Sequence, residues 1–113
     1  MTDIDLGHGH TYRFVGWYPD DLPGNRTHLG ISDGEPMPSI EKAVIFIDHK
    51  KPNGEECGGA VTLDTPETRR WKLASDDHRW QVESWEPLTI SPSILCRLCD
   101  DHGFIRDGKW VSA

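Results

Sequence analysis

Two cysteines three apart, with a histidine three further on, give the chain its most chemically loaded stretch: Cys96-Arg97-Leu98-Cys99-Asp100-Asp101-His102. Thiolate sulfur and imidazole nitrogen are the donors a tetrahedral Zn²⁺ prefers. The third and last cysteine, Cys57, lies about forty residues earlier beside Gly58-Gly59, in what reads as a turn. Together Cys57, Cys96, Cys99 and His102 make a Cys₃His set for Zn²⁺. A second arrangement uses Cys57, Cys99 and His102, packs Cys96 as a small apolar residue, and leaves water or His49 in the fourth position. A closed four-ligand set is structural. Three protein ligands plus water is the catalytic pattern, in which zinc lowers the pKa of the water to about 7.

Three further residues are candidates for chemistry beside such a site. Glu56 adjoins Cys57, and Asp101 lies between the late ligands, so either carboxylate could serve as a general base. Ser93, in Ser91-Pro92-Ser93, could be a nucleophile or a substrate hydrogen-bond donor; both hydroxyls could equally satisfy backbone groups at a turn. The chain has no G-x-S-x-G elbow and no H-E-x-x-H helix, so neither pattern supports a hydrolase reading. His8 and His10 form a possible ligand pair, but they sit in residues 1–10, which read as a flexible polar lead-in to a single domain over residues 11–113.

The elements that must position these groups are mostly strands. Thr11 to Tyr18 is aromatic and β-branched, Ala43 to Ile47 is a short apolar run, and Ala60 to Asp64 alternates. Trp80 to Trp85 also alternates, with a bulge needed near Ser84 to reconcile its faces. Pro19 to Asn25 is a turn cluster, and His28 to Pro38 is a loop rich in Gly and Pro. Asn53-Gly54 turns the chain back before Cys57, and Asp107-Gly108 makes a hairpin of Gly103 to Val111. Pro66 opens a turn or a short helix. Leu88 to Leu95 is extended or contains one short turn. The expectation is a mostly β fold, a small β-rich or α+β domain with a zinc-ribbon-like Cys/His site joining mid-chain and C-terminal hairpins.

At 113 residues the chain forms one domain with a thin core. Five Trp enlarge that core from few positions, and structural zinc can add on the order of 10 kcal/mol. The formal net charge of −7 leaves no basic face for nucleic acid or an acidic membrane. No apolar stretch approaches the roughly 20 residues of a membrane span, and the acidic N-terminus lacks a signal-peptide core. A cytoplasmic location is expected, in which thiols bind metal or stay free.

The order Cys57-Gly58-Gly59, a strand, Trp80 to Trp85, Leu88 to Ile94, Cys99-x-x-His102 and Gly103 to Trp110 resembles a family of small phage and bacterial domains. The likeness covers roughly residues 43–113. Gly16 to Asp20 is similar to the branch found in actinobacterial phages. Some members lie beside genes for bacterial ubiquitin-like conjugation, and the resemblance implies a zinc peptidase that trims or removes the ubiquitin-like protein. It implies a protein substrate, and a host-cell cytoplasm if the chain is phage-encoded. The leading expectation is a zinc-stapled domain with peptidase-like activity. The rival is a non-enzymatic protein-binding module with structural zinc, such as a phage factor that counters a host defence.

Overall fold

A computed structural model describes residues 3–113. Eight strands form one sheet in the order β1 to β8: β1 Ile4–Gly7, β2 His10–Trp17, β3 Ile40–Lys50, β4 Glu56–Asp64, β5 Arg79–Trp85, β6 Leu88–Leu95, β7 His102–Arg106 and β8 Lys109–Ser112. Two short helices, α1 Pro23–Leu29 and α2 Pro66–Arg70, interrupt the series. The mostly β expectation holds. Among the described residues no helix is long and apolar enough to cross a membrane.

Every neighbouring pair is antiparallel except β4 and β5. Parallel strands need a crossover, and the chain supplies one through α2 and a single 3₁₀ turn at Asp76–His78. Thr65 caps α2. Its hydroxyl accepts from the Thr68 N–H at 3.1 Å, while its own N–H donates to Thr68 Oγ1 at 2.9 Å, a reciprocal arrangement that satisfies two orphan donors. Because of the crossover, β5 meets β4 only at Thr62, Leu63 and Asp64.

The end strands β1 and β8 come together, and Leu6 and Trp110 join the same core as Ile45, Ile47, Leu63 and Ile105. Alternation explains the membership: along β3 the inward positions are Ala43, Ile45, Ile47 and His49, as a period of two requires. Ile45, Leu63 and Ile105 are fully buried, each contributing roughly 1.5–3 kcal/mol. Truncating any of them to Ala would cost about 2–5 kcal/mol.

Three local readings are corrected. Residues Ile4–Gly7 are a strand paired with β2, not part of a flexible lead-in. Gly7, His8 and Gly9 all take positive φ, which permits the tight reversal. Cys57-Gly58-Gly59 lies within β4, not on a turn. A Cβ at Gly58 would come within 2.9 Å of the Ile47 carbonyl, so glycine lets the β3 and β4 backbones approach. Pro23–Leu29, split between a turn cluster and a loop in the sequence reading, forms α1, which Gly30 ends in the left-handed conformation at φ 73°.

Candidate metal centre and serine–histidine pair

The β3–β4 hairpin sets the first half of the site. Its register places His49 directly opposite Cys57, and both side chains point inward and are buried. The turn after β6 brings the other two donors. The Asp100 N–H bonds the Cys96 carbonyl at 2.7 Å, and the Cys96 N–H bonds the Asp101 carbonyl at 2.8 Å. Asp100 takes φ 58° to close this turn, a conformation that Asn and Asp tolerate better than most residues.

The result is a group of four donors, His49, Cys57, Cys96 and Cys99, whose ligand atoms all lie within 4.8 Å of one another. Cys57 Sγ is 3.5 Å from Cys96 Sγ and 3.7 Å from Cys99 Sγ. His49 Nε2 is 3.1 Å from Cys99 Sγ. A tetrahedral ion about 2.3 Å from each sulfur would space two sulfurs about 3.8 Å apart, so the set fits a metal ion. The sulfurs are too far apart for a disulfide, and all three cysteines are free.

Burial and mutual contact shift the donors' titrations in different directions. Burial, then hydrogen bonding to Cys96 and Cys99, pushes the Cys57 thiol up to about 11. Burial also pushes Cys96 upward. The Leu98 N–H and the neighbouring thiols hydrogen-bond its sulfur and outweigh that effect, so its net shift is downward. Burial holds His49 below its ordinary value of 6.5, against the opposing pull of Asp101. A metal takes up neutral imidazole and thiolate, so the low His49 value favours a cation, while the raised Cys57 thiol must lose its proton as one binds.

A second layer surrounds these donors. His10 Nε2 meets the Asp101 carboxylate, and His10 Nδ1 lies 2.9 Å from the His8 carbonyl. The His10 ring stacks between Trp110, at 4.2 Å between centroids, and His49, at 5.2 Å. Asp101 is also 4.0 Å from His49 Nε2. His10, Asp101 and His49 therefore form a second close group that shares His49 with the first.

Cys57, Cys96 and Cys99 meet as the sequence reading expected. His102 does not join them, and the histidine in the group is His49. Strand periodicity gives the reason. Gly103 and Ile105 face inward on β7, so His102 faces outward. There its Nε2 lies 2.9 Å from Ser93 Oγ. Glu56 is exposed at the hairpin, opposite Lys50. Asp101 is held by His10. Neither carboxylate reaches Ser93. The sequence held the signal for His49 in the run Ile45-x-Ile47-x-His49 and in the Asn53-Gly54 turn that sets its register against Cys57.

Ser93 owes its position to an irregularity. Between the pairs Ile90↔Ile105 and Ile94↔Gly103, Ser91, Pro92 and Ser93 oppose Phe104 alone. Proline cannot donate to the ladder and favours such a bulge. The bulge turns the Ser93 hydroxyl toward His102. The Trp80 indole N–H donates to the Ser93 carbonyl at 3.3 Å. Among the described residues no carboxylate hydrogen-bonds the His102 ring.

Between β4 and the end of β6 lies a cleft of about 220 Å³. His49 and Cys96 line it, as do Trp80, Ile94 and Leu95, the close neighbours of Ser93. The fold and site thus define a class: a curled β domain with a Cys₃His metal-type cluster beside a cleft and a Ser–His pair on the outward face of β6 and β7, next to Leu95 at the cleft's rim. Residues 52–113 match the family described as bacterial ubiquitination-like system serine protease (BubE), and the chain belongs to that family. No curated protein and no solved structure matches the chain.

Proposed function

We propose that the chain is a serine peptidase that cleaves a protein of a bacterial ubiquitination-like system, in the cytoplasm, with Ser93 as nucleophile and His102 as general base. The observation that carries this reading is the 2.9 Å contact between Ser93 Oγ and His102 Nε2, within the 2.6–3.2 Å reach that proton transfer needs. For Ser93 to donate, His102 carries its own proton on Nδ1.

As Ser93 Oγ attacks a peptide carbonyl carbon, its proton passes to His102 Nε2. The imidazolium then gives that proton to the departing amine, leaving an acyl group on Ser93. Water, deprotonated by the same imidazole, releases the acyl group and regenerates the pair. With no carboxylate on its ring, His102 works as the base of a dyad. The family's description as serine proteases supports the same assignment.

The metal in this reading is Zn²⁺, held by His49, Cys57, Cys96 and Cys99. Four protein donors leave no position for a reacting water, so the ion would supply a structural crosslink. Glu56 and Asp101 have no part in bond cleavage.

The test is labelling with a fluorophosphonate, which marks activated serines. The wild-type protein should be modified at Ser93, and both Ser93→Ala and His102→Gln should abolish the label. Labelling that persists in Ser93→Ala would overturn the assignment.

A further inference from the structure

The cleft beside Ser93 has an unusual wall. β4 pairs with β3 along Glu56–Thr62 but with β5 only from Thr62 onward. Over Gly58–Val61 the β5 side of β4 makes no strand pairing among the described residues, and these residues line the cleft. A strand edge with unpaired N–H and C=O groups recruits an extended chain. Side chains do not obstruct it here, because the edge is Gly58, Gly59 and Ala60. Nothing lies within 4 Å of a Cβ built on Gly59.

The opposite wall is apolar and open. Leu95 is 49% exposed and Leu98 is 75% exposed. Between them Arg97 lines the cleft, and among the described residues no carboxylate lies within ion-pairing distance of it, in a chain of net charge −7. The volume, about 220 Å³, falls below the roughly 300–1,000 Å³ of sites for drug-sized ligands. It suits a main chain with small side chains. Leu95 is in register with His102, so this wall ends next to the Ser–His pair, although neither Ser93 nor His102 lines the cleft itself.

We propose that substrate binds here as an added strand on Gly58–Val61. The occupant is an extended peptide segment with small side chains and an acidic residue that meets Arg97, its main chain bonded to the β4 edge on the way to Ser93. This deepens the peptidase reading and rests on it for the bond that is cut.

The experiment uses ¹⁵N-labelled Ser93→Ala protein and the capped peptide Ac-Ala-Ala-Asp-Ala-Ala-amide. Saturable shifts at the amides of Gly58, Gly59, Ala60 and Val61 are expected. N-methylation of alternate peptide nitrogens should weaken binding at least tenfold, and replacing the Asp with Lys should weaken it about fivefold, as should Arg97→Ala. Gly59→Phe, at a position where nothing lies within 4 Å of an added Cβ, should block binding of the peptide. Absent shifts at millimolar peptide, shifts centred elsewhere, or equal binding of the N-methylated peptide would overturn strand addition. Those results leave the Ser93 assignment to stand on its labelling. Binding at β4 in a protein whose Ser93 never labels would instead sink the hydrolytic reading and keep the peptide site.

Discussion

On one side of the cleft, His49 and Cys57 are buried, Cys96 and Cys99 are half-buried, and the four donors touch one another. His10, Asp101 and Trp110 brace them from behind. On the outward face next to Leu95, Ser93 and His102 share one hydrogen bond, and His102 is exposed. The first region is dense enough to shift its own titrations; the second is open to solvent at His102. The first also draws on residues outside the family match, since His49 and His10 precede residue 52, whereas Ser93 and His102 both lie within it. A group that holds a fold together must be desolvated and cross-braced. A group that reacts must be reachable.

This contrast predicts that rate and stability separate by region. The largest effect belongs to Ser93→Ala, which should lower kcat by about a thousandfold or more while leaving thermal unfolding within about 0.5 kcal/mol. Steady-state kinetics and calorimetry on the same preparation measure both, and a matching fall in stability would erase the distinction. Cys99→Ala should do the reverse, abolishing stoichiometric zinc in native mass spectra and costing about 4 kcal/mol or more in denaturant unfolding.

Asp101→Asn comes next, with about 1–3 kcal/mol lost because His10 gives up a charge-assisted partner. The pH dependence follows from His49. Its pKa in the folded protein lies below its ordinary 6.5, so near that pH the unfolded chain binds more protons and stability rises with pH. Melting temperature should therefore be highest above pH 6.5 and fall as acid approaches the depressed folded value. The smallest change belongs to Glu56→Gln, within about 0.5 kcal/mol of wild type and with unaltered kinetics, since that side chain is exposed on the hairpin.

The sequence made the cysteines legible because spacing and residue type speak for themselves. It made the late hairpin legible because Asp107-Gly108 is a turn signal, and both residues do take positive φ, at 51° and 71°. The histidines were exchanged because ligand spacing competed with strand alternation. Three residues after Cys99, His102 looked like a ligand, but the inward demand of Gly103 and Ile105 turned it outward. The Ser93–His102 contact needs the register shift on β6, which follows from pairing between strands and not from either strand alone. The N-terminal strand escaped notice for a related reason: its core contribution is Leu6, a single buried residue in a polar stretch.

The incomplete pairing of β4 also bears on how molecules of this protein treat one another. Unpaired strand borders are where β proteins stick together and seed fibrils. This border faces the Leu95–Leu98 turn across the cleft. A cleft of about 220 Å³ has room for a single polypeptide strand and not for a second sheet. The notch therefore guards against self-association at high concentration while keeping its adhesive chemistry in use.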